Sequence, residues 1–310
     1  MRLFSRAPDF DFMGWRRPAL ILSGAFILLS FGSLIVRGLD FGIDFTGGVM
    51  LEVGYDEPVE LEEIRSVLAA NGIADAVVQN FGSATEVLIR LPPAEDMDTA
   101  ANLDERVLAA LRMQDPSVER RGGADVSPQV GEDLAEQSGL AMLFAVIMIF
   151  MYVMLRFRWK FAAGAIAALV HDVIVVIGVF SIFSIGFDLT VFAAVLAVIG
   201  YSLNDTIVVF DRVRENFRAM RRGTPEQVVN ASVNQTLART FVTAITTLLV
   251  LFALLFLGGE AIYGFALALI IGVSVGTYST IYIATAAALM LGVSQADLLP
   301  PKREEIDDTP

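Results

Sequence analysis

Long apolar stretches separated by short polar ones run through most of the chain. Six of them reach the length of about 17–25 residues that a helix needs to cross the hydrocarbon core of a bilayer. The pattern predicts membrane spans at residues 18–36, 139–155, 161–183, 188–210, 240–257 and 261–293. Gly272 and Gly276 form a G-x-x-x-G pattern in the sixth span, which predicts close helix packing. The chain is therefore predicted to be an α-helical polytopic membrane protein, with a bundle of five spans between residues 138 and 296.

The longest polar segment, residues 37–137, lies between the first two spans and has the pattern of a folded domain. Alternating apolar positions predict strands at 49–55, 76–81, 86–91 and 117–126, and helical periodicity predicts helices at 59–70 and 98–112. The order βαββαβ is typical of a small ferredoxin-like α+β domain. No triad-like arrangement of His, Cys and Ser occurs in it, so we interpret it as an interaction or mechanical module.

In the termini and short loops, basic residues lie on only one side of the predicted spans. They occur before the first span, between the second and third, after the fourth and after the sixth: Arg2, Arg6, Arg16, Arg17, Arg156, Arg158, Lys160, Arg212, Arg214, Arg218, Arg221, Arg222, Lys302 and Arg303. The short loops at 184–188 and 258–260 contain no Lys or Arg. The arginines of the 37–137 segment do not count against the positive-inside rule, because long translocated domains are largely exempt from it. The positive-inside rule then predicts that residues 1–17 and the acidic tail at 297–310 are cytoplasmic, with the 37–137 domain on the opposite side.

Composition supports the membrane interpretation and excludes several chemistries. Of the 310 residues 55% are hydrophobic and only 18% are charged. The net charge of −13 argues against binding to a phosphate backbone. The chain has no cysteine, a single histidine and no GxxxxGK[ST] phosphate loop, which argues against thiol chemistry, a multi-histidine metal site and ATP hydrolysis. We expect no cofactor and no metal.

Asp205 is the polar residue that points most directly to function, because ionisable groups at membrane depth are costly and usually mark ion paths or relays. It precedes Arg212 by seven residues, which places it about 10 Å deeper in a helix. Ser202 shares its helix face, and Asn204 and Thr206 flank it. A carboxyl group in this position is a candidate for proton binding and release.

Two further polar features lie in the predicted spans. The fifth helix is expected to start near Val229 and to carry a polar stripe at helical spacing: Gln235, Arg239, Thr243 and Thr246. Because the fourth and fifth helices run antiparallel, Arg239 can approach Asp205 from the cytoplasmic half. His171 and Asp172 form an adjacent pair in the third span.

Each of these residues also has a purely structural interpretation. Asp205 and the pair His171-Asp172 can simply bond a neighbouring helix. Asp188 is expected to cap the fourth helix at the outer surface. Asp211, with the arginines that follow it, is expected to form a solvated interfacial face.

Four segments together form a specific set of motifs. They are residues 198–216 (VIGYSLNDTIVVFDRVREN), residues 42–48 (GIDFTGG), His171-Asp172, and residues 232–240 (SVNQTLART). In these segments the chain closely resembles the SecD/SecF family of bacterial protein-export membrane proteins, within the RND superfamily. The resemblance runs from about residue 10 to residue 295. This chain has no departure from the family pattern that removes a motif residue.

The resemblance implies a fold, partners and a role for individual residues. The chain would be an RND-like half of six spans that pairs with the homologous SecD and works beside the SecYEG channel, with YajC, after the SecA ATPase has begun translocation. It would use the proton-motive force to help export unfolded polypeptides across the bacterial inner membrane, without being an enzyme. The family's intramembrane carboxylate corresponds to Asp205 and its basic partner to Arg239, with Ser202, Asn204 and Thr206 around them. The outer domain corresponds to the family's first periplasmic domain, hinged at a motif that contains Asp44, Gly47 and Gly48.

Three alternatives stay open from the residues alone. A small-molecule exporter of the same superfamily would use the same relay, although such exporters are usually twelve-span chains. An intramembrane protease would be built on His171, and its activity would not depend on Asp205. For a purely structural scaffold, replacement of Asp205 by Asn would be silent.

Overall fold

The computed structural model describes residues 9–93, 103–220 and 223–294. Its helices in chain order are α1 (Arg16–Val36), α2 (Ile43–Thr46), α3 (Leu61–Ala70), α4 (Leu103–Gln114), α5 (Pro128–Arg156), α6 (Trp159–Phe183), α7 (Leu189–Ala219), α8 (Pro225–Leu257), α9 (Tyr263–Ser279) and α10 (Thr285–Met290). The strands are β1 (Asp40–Phe41), β2 (Gly48–Gly54), β3 (Val77–Phe81), β4 (Ser83–Leu91), β5 (Glu119–Val126) and β6 (Gly186–Phe187). A 3₁₀ turn at Glu260–Ile262 precedes α9, and a π-helical segment at Thr280–Ala284 joins α9 to α10.

Six helical segments in the described residues are long and apolar enough to cross a membrane, as predicted. They are α1, α5, α6, α7, α8 and the run from Glu260 to Met290 that contains α9 and α10. The predicted helix start at residues 98–102, the basic residues Arg2, Arg6, Arg221 and Arg222, and the tail at 297–310 with Lys302 and Arg303 lie outside the described residues.

Two membrane helices extend well beyond their apolar runs. Helix α5 begins at Pro128 instead of residue 139, and α8 begins at Pro225 instead of near Val229. The start of α8 is fixed by a capping box: Thr224 accepts a hydrogen bond from the backbone of Gln227, whose side chain accepts one from the backbone of Thr224. Proline at the first helical position is compatible with both starts, because its missing N–H would have no partner there. The apolar pattern marks only the part of each helix that lies in the membrane.

The outer domain has the predicted βαββαβ order. Its four antiparallel strands are arranged β3-β4-β2-β5, with Leu51 of β2 opposite Ile89 of β4 and Gly123 of β5. Helices α3 and α4 cover one face, where Leu51, Ile89, Leu68 and Val107 are fully buried. This strand order is that of a ferredoxin-like domain, which confirms the prediction.

Helix α7 is the centre of the membrane bundle and packs closely against α9. A Cβ atom added at Gly272 would collide with the side chain of Val198, and one at Gly276 would lie 3.1 Å from Cβ of Ser202. The G-x-x-x-G pattern therefore brings α9 close to α7, as small residues do in membrane helix pairs. This short distance allows hydroxyl groups on the two helices to reach one another.

We predict that Gly272→Leu destabilises the protein by about 1–3 kcal/mol, the usual cost of overpacking, because the added side chain forces α9 away from α7. The measurement is unfolding of the purified protein in mixed micelles. Gly24→Leu on α1 is the matched control, since nothing lies within 4 Å of a Cβ atom there. Equal stability of the two variants would contradict the proposed close contact.

Candidate functional site

Asp205 lies on the buried side of α7. The residue is only 3% exposed, and Ser202 and Thr206 are buried on the same side of the helix. Among the described residues, no group donates a hydrogen bond to the buried Oδ2 atom of Asp205. A buried carboxylate oxygen without a donor is costly and uncommon, which makes Asp205 a candidate functional group.

Thr206 and Ser202 connect α7 to the sixth span. The hydroxyl groups of Thr206 and Thr280 lie 2.9 Å apart. One turn further towards the outer face, Ser202 donates a hydrogen bond of 2.6 Å to Oδ2 of Asp172 on α6. Ser279 of α9 donates to the same oxygen at 2.8 Å. Three membrane helices thus meet at one carboxylate.

The pair His171-Asp172 forms the centre of this network. Asp172 is fully buried, and its Oδ1 lies 3.0 Å from Nδ1 of His171. Nε2 of His171 is buried and has no hydrogen-bond partner in the part of the chain that the structure describes. Both serine hydroxyls bond to the aspartate and neither bonds to the histidine. A serine protease requires the opposite arrangement, in which the imidazole takes the serine proton.

The π-helical segment Thr280–Ala284 begins where this network touches the sixth span. Ser279 bonds to Asp172 on α6, and the next residue, Thr280, bonds to Thr206 on α7. Single-turn π segments within α-helices are frequent at functional sites. Here the segment lies beside two consecutive residues that bond to two different helices.

Arg239 is placed beside the site but not in ion-pair contact with it. Its positive charge is close enough to act electrostatically on Asp205. The two residues do not form an ion pair within 4.0 Å among the described residues. The side chain of Arg239 is exposed on the surface of α8. In this arrangement the two charges are neighbours without being bonded.

Asn204 and most of the predicted polar stripe of α8 do not join Asp205. The side chain of Asn204 is exposed on the surface of α7, whereas that of Asp205 is buried. Gln235 accepts a hydrogen bond from Asn216, near the C-terminal end of α7. Thr243 and Thr246 bond to carbonyl groups of their own helix. The stripe is therefore a row of positions with separate local partners.

The sequence pattern does not point to Ser279 and Thr280, because isolated hydroxyl residues are common in membrane helices. The available signal is their position three and four residues after Gly276, on the turn that G-x-x-x-G packing brings against α7. Asn216 is a second such residue, since it bonds to both Ser232 and Gln235. Residues Ser232 and Gln235 of the 232–240 motif thus fix the packing of α8 against the C-terminal end of α7.

The described residues contain no cluster of three or more His, Cys, Asp or Glu side chains that would hold a metal ion. The site instead offers two buried carboxyl groups on neighbouring helices, a histidine and several hydroxyl groups. These groups can hold and exchange protons and hydrogen bonds, which is the chemistry of a relay.

Comparison with known proteins gives a consistent result. The family model described as "Protein export membrane protein SecD/SecF, C-terminal" matches residues 106–294, and the "SecD/SecF GG Motif" model matches residues 32–59. The chain belongs to the SecD/SecF family. It is a SecF-type, non-enzymatic subunit of the protein translocase and a multi-pass membrane protein.

Relatives in the SecD/SecF family cover nearly the whole chain. The protein translocase subunit SecF of Vibrio alginolyticus is 49% identical over 304 residues, which is 96% of each chain. That of Pseudomonas aeruginosa is 48% identical over 97% of each chain. That of Escherichia coli O157:H7 is 43% identical over 96% of this chain and 92% of the relative.

Two solved structures share the SecD/SecF fold. The crystal structure of SecDF from Thermus thermophilus, a translocon-associated membrane protein, has a TM-score of 0.84 at 37% identity. A SecDF structure in the super-membrane-facing form has a TM-score of 0.69 at 36% identity. They cover 94% and 93% of this chain, which spans 39% of each SecDF chain.

We predict that Ser279→Ala destabilises the protein by about 1–3 kcal/mol, because a buried acceptor on Asp172 loses one of its donors. Ser274→Ala is the matched control on the same helix, since the Ser274 hydroxyl is exposed and bonds only to the carbonyl of Ile270. We expect that control to stay within about 0.5 kcal/mol of the parent. The measurement is again unfolding in mixed micelles, and equal loss in both variants would contradict a structural role of the network.

Proposed function

We propose that this chain, together with SecD, uses the proton-motive force to promote export of unfolded polypeptides across the bacterial inner membrane, and that Asp205 is the group that takes up and releases the proton. The observation that carries the proposal is the buried Oδ2 of Asp205, which has no donor in the described residues although Ser202 and Thr206 beside it are bonded. A group that changes its protonation during a cycle needs such a free position. The hydrogen-bonded hydroxyl and carboxylate groups between α6, α7 and the sixth span form the polar surroundings of Asp205.

The partner SecD follows from two observations. The solved SecDF chains extend well beyond the part that this chain matches, so a related bundle has further protein attached to it. Arg239 and Asn204 are exposed at membrane depth, and such groups rarely face lipid. A second bundle against α7 and α8 would cover both. SecYEG and YajC enter the proposal from the family resemblance alone.

The orientation of the chain is part of the proposal. Both termini lie in the cytoplasm and the outer domain in the periplasm, as the distribution of Lys and Arg indicates. Asp205 is then reached from the periplasm past the Asp172 network, which lies about one helical turn closer to the outer face.

Electrostatics explains how proton uptake could move helices. Protonation of Asp205 removes a buried charge and with it the attraction to Arg239, so the preferred packing of α7 and α8 changes. Each proton that crosses 100 mV releases about 2.3 kcal/mol, which is enough to shift a two-state equilibrium.

We predict that Asp205→Asn abolishes the stimulation of secretion by a proton gradient, because the amide cannot take up the proton, while insertion and association with SecD stay normal. The measurement is export of a presecretory protein into inverted inner-membrane vesicles, with and without a gradient. Asp211→Asn is the matched control on the same helix, since Asp211 forms an exposed ion pair of 2.7 Å with Arg156.

Normal, gradient-dependent export by Asp205→Asn would refute the role of Asp205. A loss of equal size in Asp211→Asn would point to general damage to α7 instead.

A further inference from the structure

The two chain connections between the outer domain and the membrane helices lie side by side. Its first strand, β2, follows Gly47, and its last strand, β5, leads through Ser127 into α5 at Pro128. These two connections touch: a Cβ atom at Gly47 would lie 2.8 Å from Cα of Pro128. Gly47 and Gly48 have φ angles of 70° and 120°, which other residues rarely adopt. The domain is thus joined to the bundle at a small pivot of backbone.

The chain before this pivot is fixed to the start of α7. Strand β1 pairs in parallel with β6, so that Asp40 is opposite Gly186 and Phe41 opposite Phe187. The backbone N–H of Gly42 continues the pairing with a hydrogen bond of 2.9 Å to the carbonyl of Phe187.

Asp44 strengthens this attachment. Its Oδ2 accepts a hydrogen bond of 3.0 Å from the backbone N–H of Leu189, the first residue of α7. The ordinary cap of this helix, Asp188, accepts from Val191 at 2.8 Å. Helix α7 therefore has two carboxylates at its N-terminus, and one of them comes from residues 40–46. These residues are thus bonded to the start of α7, and they also pack against the start of α5, where a Cβ atom added at Gly131 would lie 3.2 Å from the carbonyl oxygen of Phe45.

Arg90 joins the sheet to residues 40–46 close to the pivot, since the carbonyl oxygen of the next residue, Leu91, would meet a Cβ atom added at Gly48. It lies on the sheet face opposite α3 and α4, is only 9% exposed, and donates a hydrogen bond of 2.6 Å to Oδ2 of Asp40. Weaker bonds of 3.4 Å reach the carbonyl of Phe41 and the side chain of Gln79. The Asp40 side chain is 34% exposed, so separation of the pair mainly leaves the mostly buried guanidinium of Arg90 with only its weaker acceptors.

A cavity of about 160 Å³ lies beside the ion pair. It is lined by the sheet at Met50 and Arg90 and by the attachment at Asp44 and Asp188. Nε of Arg90 is buried and has no acceptor among the described residues. The sheet and the start of α7 are therefore held by one strong contact with space next to it, not by continuous packing.

We propose that the ion pair of Asp40 and Arg90 is the link through which movement of α7 reaches the periplasmic domain, with residues 40–46 as a rigid lever and Gly47-Gly48 as the hinge. This inference rests on the proposed function, since Asp205 is the origin of the movement. Asp40, Asp44 and Arg90 are positioning residues and do not carry the proton.

A further contact between the domain and the bundle, within the described residues, competes for this role. The side chain of Glu260, between α8 and α9, lies against Gly82 in the β3–β4 turn. Glu260 forms no ion pair among the described residues. A flexible side chain resting on a glycine transmits little force, so the Asp40–Arg90 pair is the stronger link.

The test uses vesicles in which this chain is the SecF-type subunit, with its partner present. Arg90→Ala and Asp40→Ala should each lose the gradient stimulation of export, to the level of Asp205→Asn, while abundance and co-purification with the partner stay normal. The exchanged double variant Asp40→Arg/Arg90→Asp should regain part of it. The matched control is the Asp104–Arg120 ion pair of 2.8 Å within the outer domain, where Arg120→Ala should keep full stimulation.

Full stimulation in Arg90→Ala or Asp40→Ala would overturn the link, as would an exchanged variant that is abundant but regains nothing. If Arg90→Ala lowers the abundance of the protein, the exchanged variant still decides. The outcome for Asp205→Asn in the same vesicles separates the two proposals. If that variant keeps its stimulation the proposed function fails, and if it alone loses stimulation only the link fails.

A cross-link tests the lever itself. The chain has no cysteine, so Phe41→Cys/Phe187→Cys introduces a single disulfide across the β1–β6 pair. If residues 40–46 move with α7, the oxidised variant should keep its gradient stimulation. Loss on oxidation that is reversed by a reductant would show that β1 and β6 must separate, and would overturn the lever.

Discussion

A carboxylate within a membrane has no water to bond with, and its oxygens must therefore find donors or charges on neighbouring helices. Asp172 and Asp205 meet this constraint in opposite ways, although both are buried on adjacent helices. Asp172 is held by His171, Ser202 and Ser279, so its position is fixed from three sides. Oδ2 of Asp205 has no donor among the described residues. The first arrangement is that of a structural centre, and the second is the arrangement that the proposed proton uptake requires.

Glycine makes this arrangement of donors possible. The hydroxyl of Ser279 reaches α6, and that of Thr280 reaches α7, only because Gly272 and Gly276 let α9 lie against Val198 and Ser202. The absence of side chains at these two glycines therefore decides which polar groups of the neighbouring helices come into contact. The packing of the sixth span and the chemistry of the site depend on the same short interhelical distance.

The sequence alone was sufficient for the features that follow from one-dimensional patterns. Six spans follow from apolar length, and the βαββαβ domain follows from the change between period two and helical periodicity. The positions of Asp205 and of the His171-Asp172 pair also follow, because ionisable residues stand out against an apolar background.

Other features depend on how separate elements meet, which no local pattern records. Asn204 neighbours Asp205 in sequence, yet its side chain is exposed, because adjacent residues of a helix point in different directions. Arg90 is a lone arginine in a strand and would ordinarily face solvent. It is buried because residues 40–46 lie against it and Asp40 accepts its hydrogen bond. Ser279 and Thr280 become important only through the helices that they touch.

Helix α7 connects these parts, since its middle carries Asp205 and its outer end is bonded to residues 40–46. Leu189 and Asp205 are separated by 16 residues, or about 24 Å of helix. A helix is stiff over that length, so a change in packing around Asp205 reaches the outer end as a tilt or shift of the whole element. A flexible attachment there would absorb the movement before it reached the domain. The second carboxylate cap from Asp44 and the strand pair β1–β6 make the attachment firm, and the proposed hinge is placed at the glycines that follow, Gly47 and Gly48.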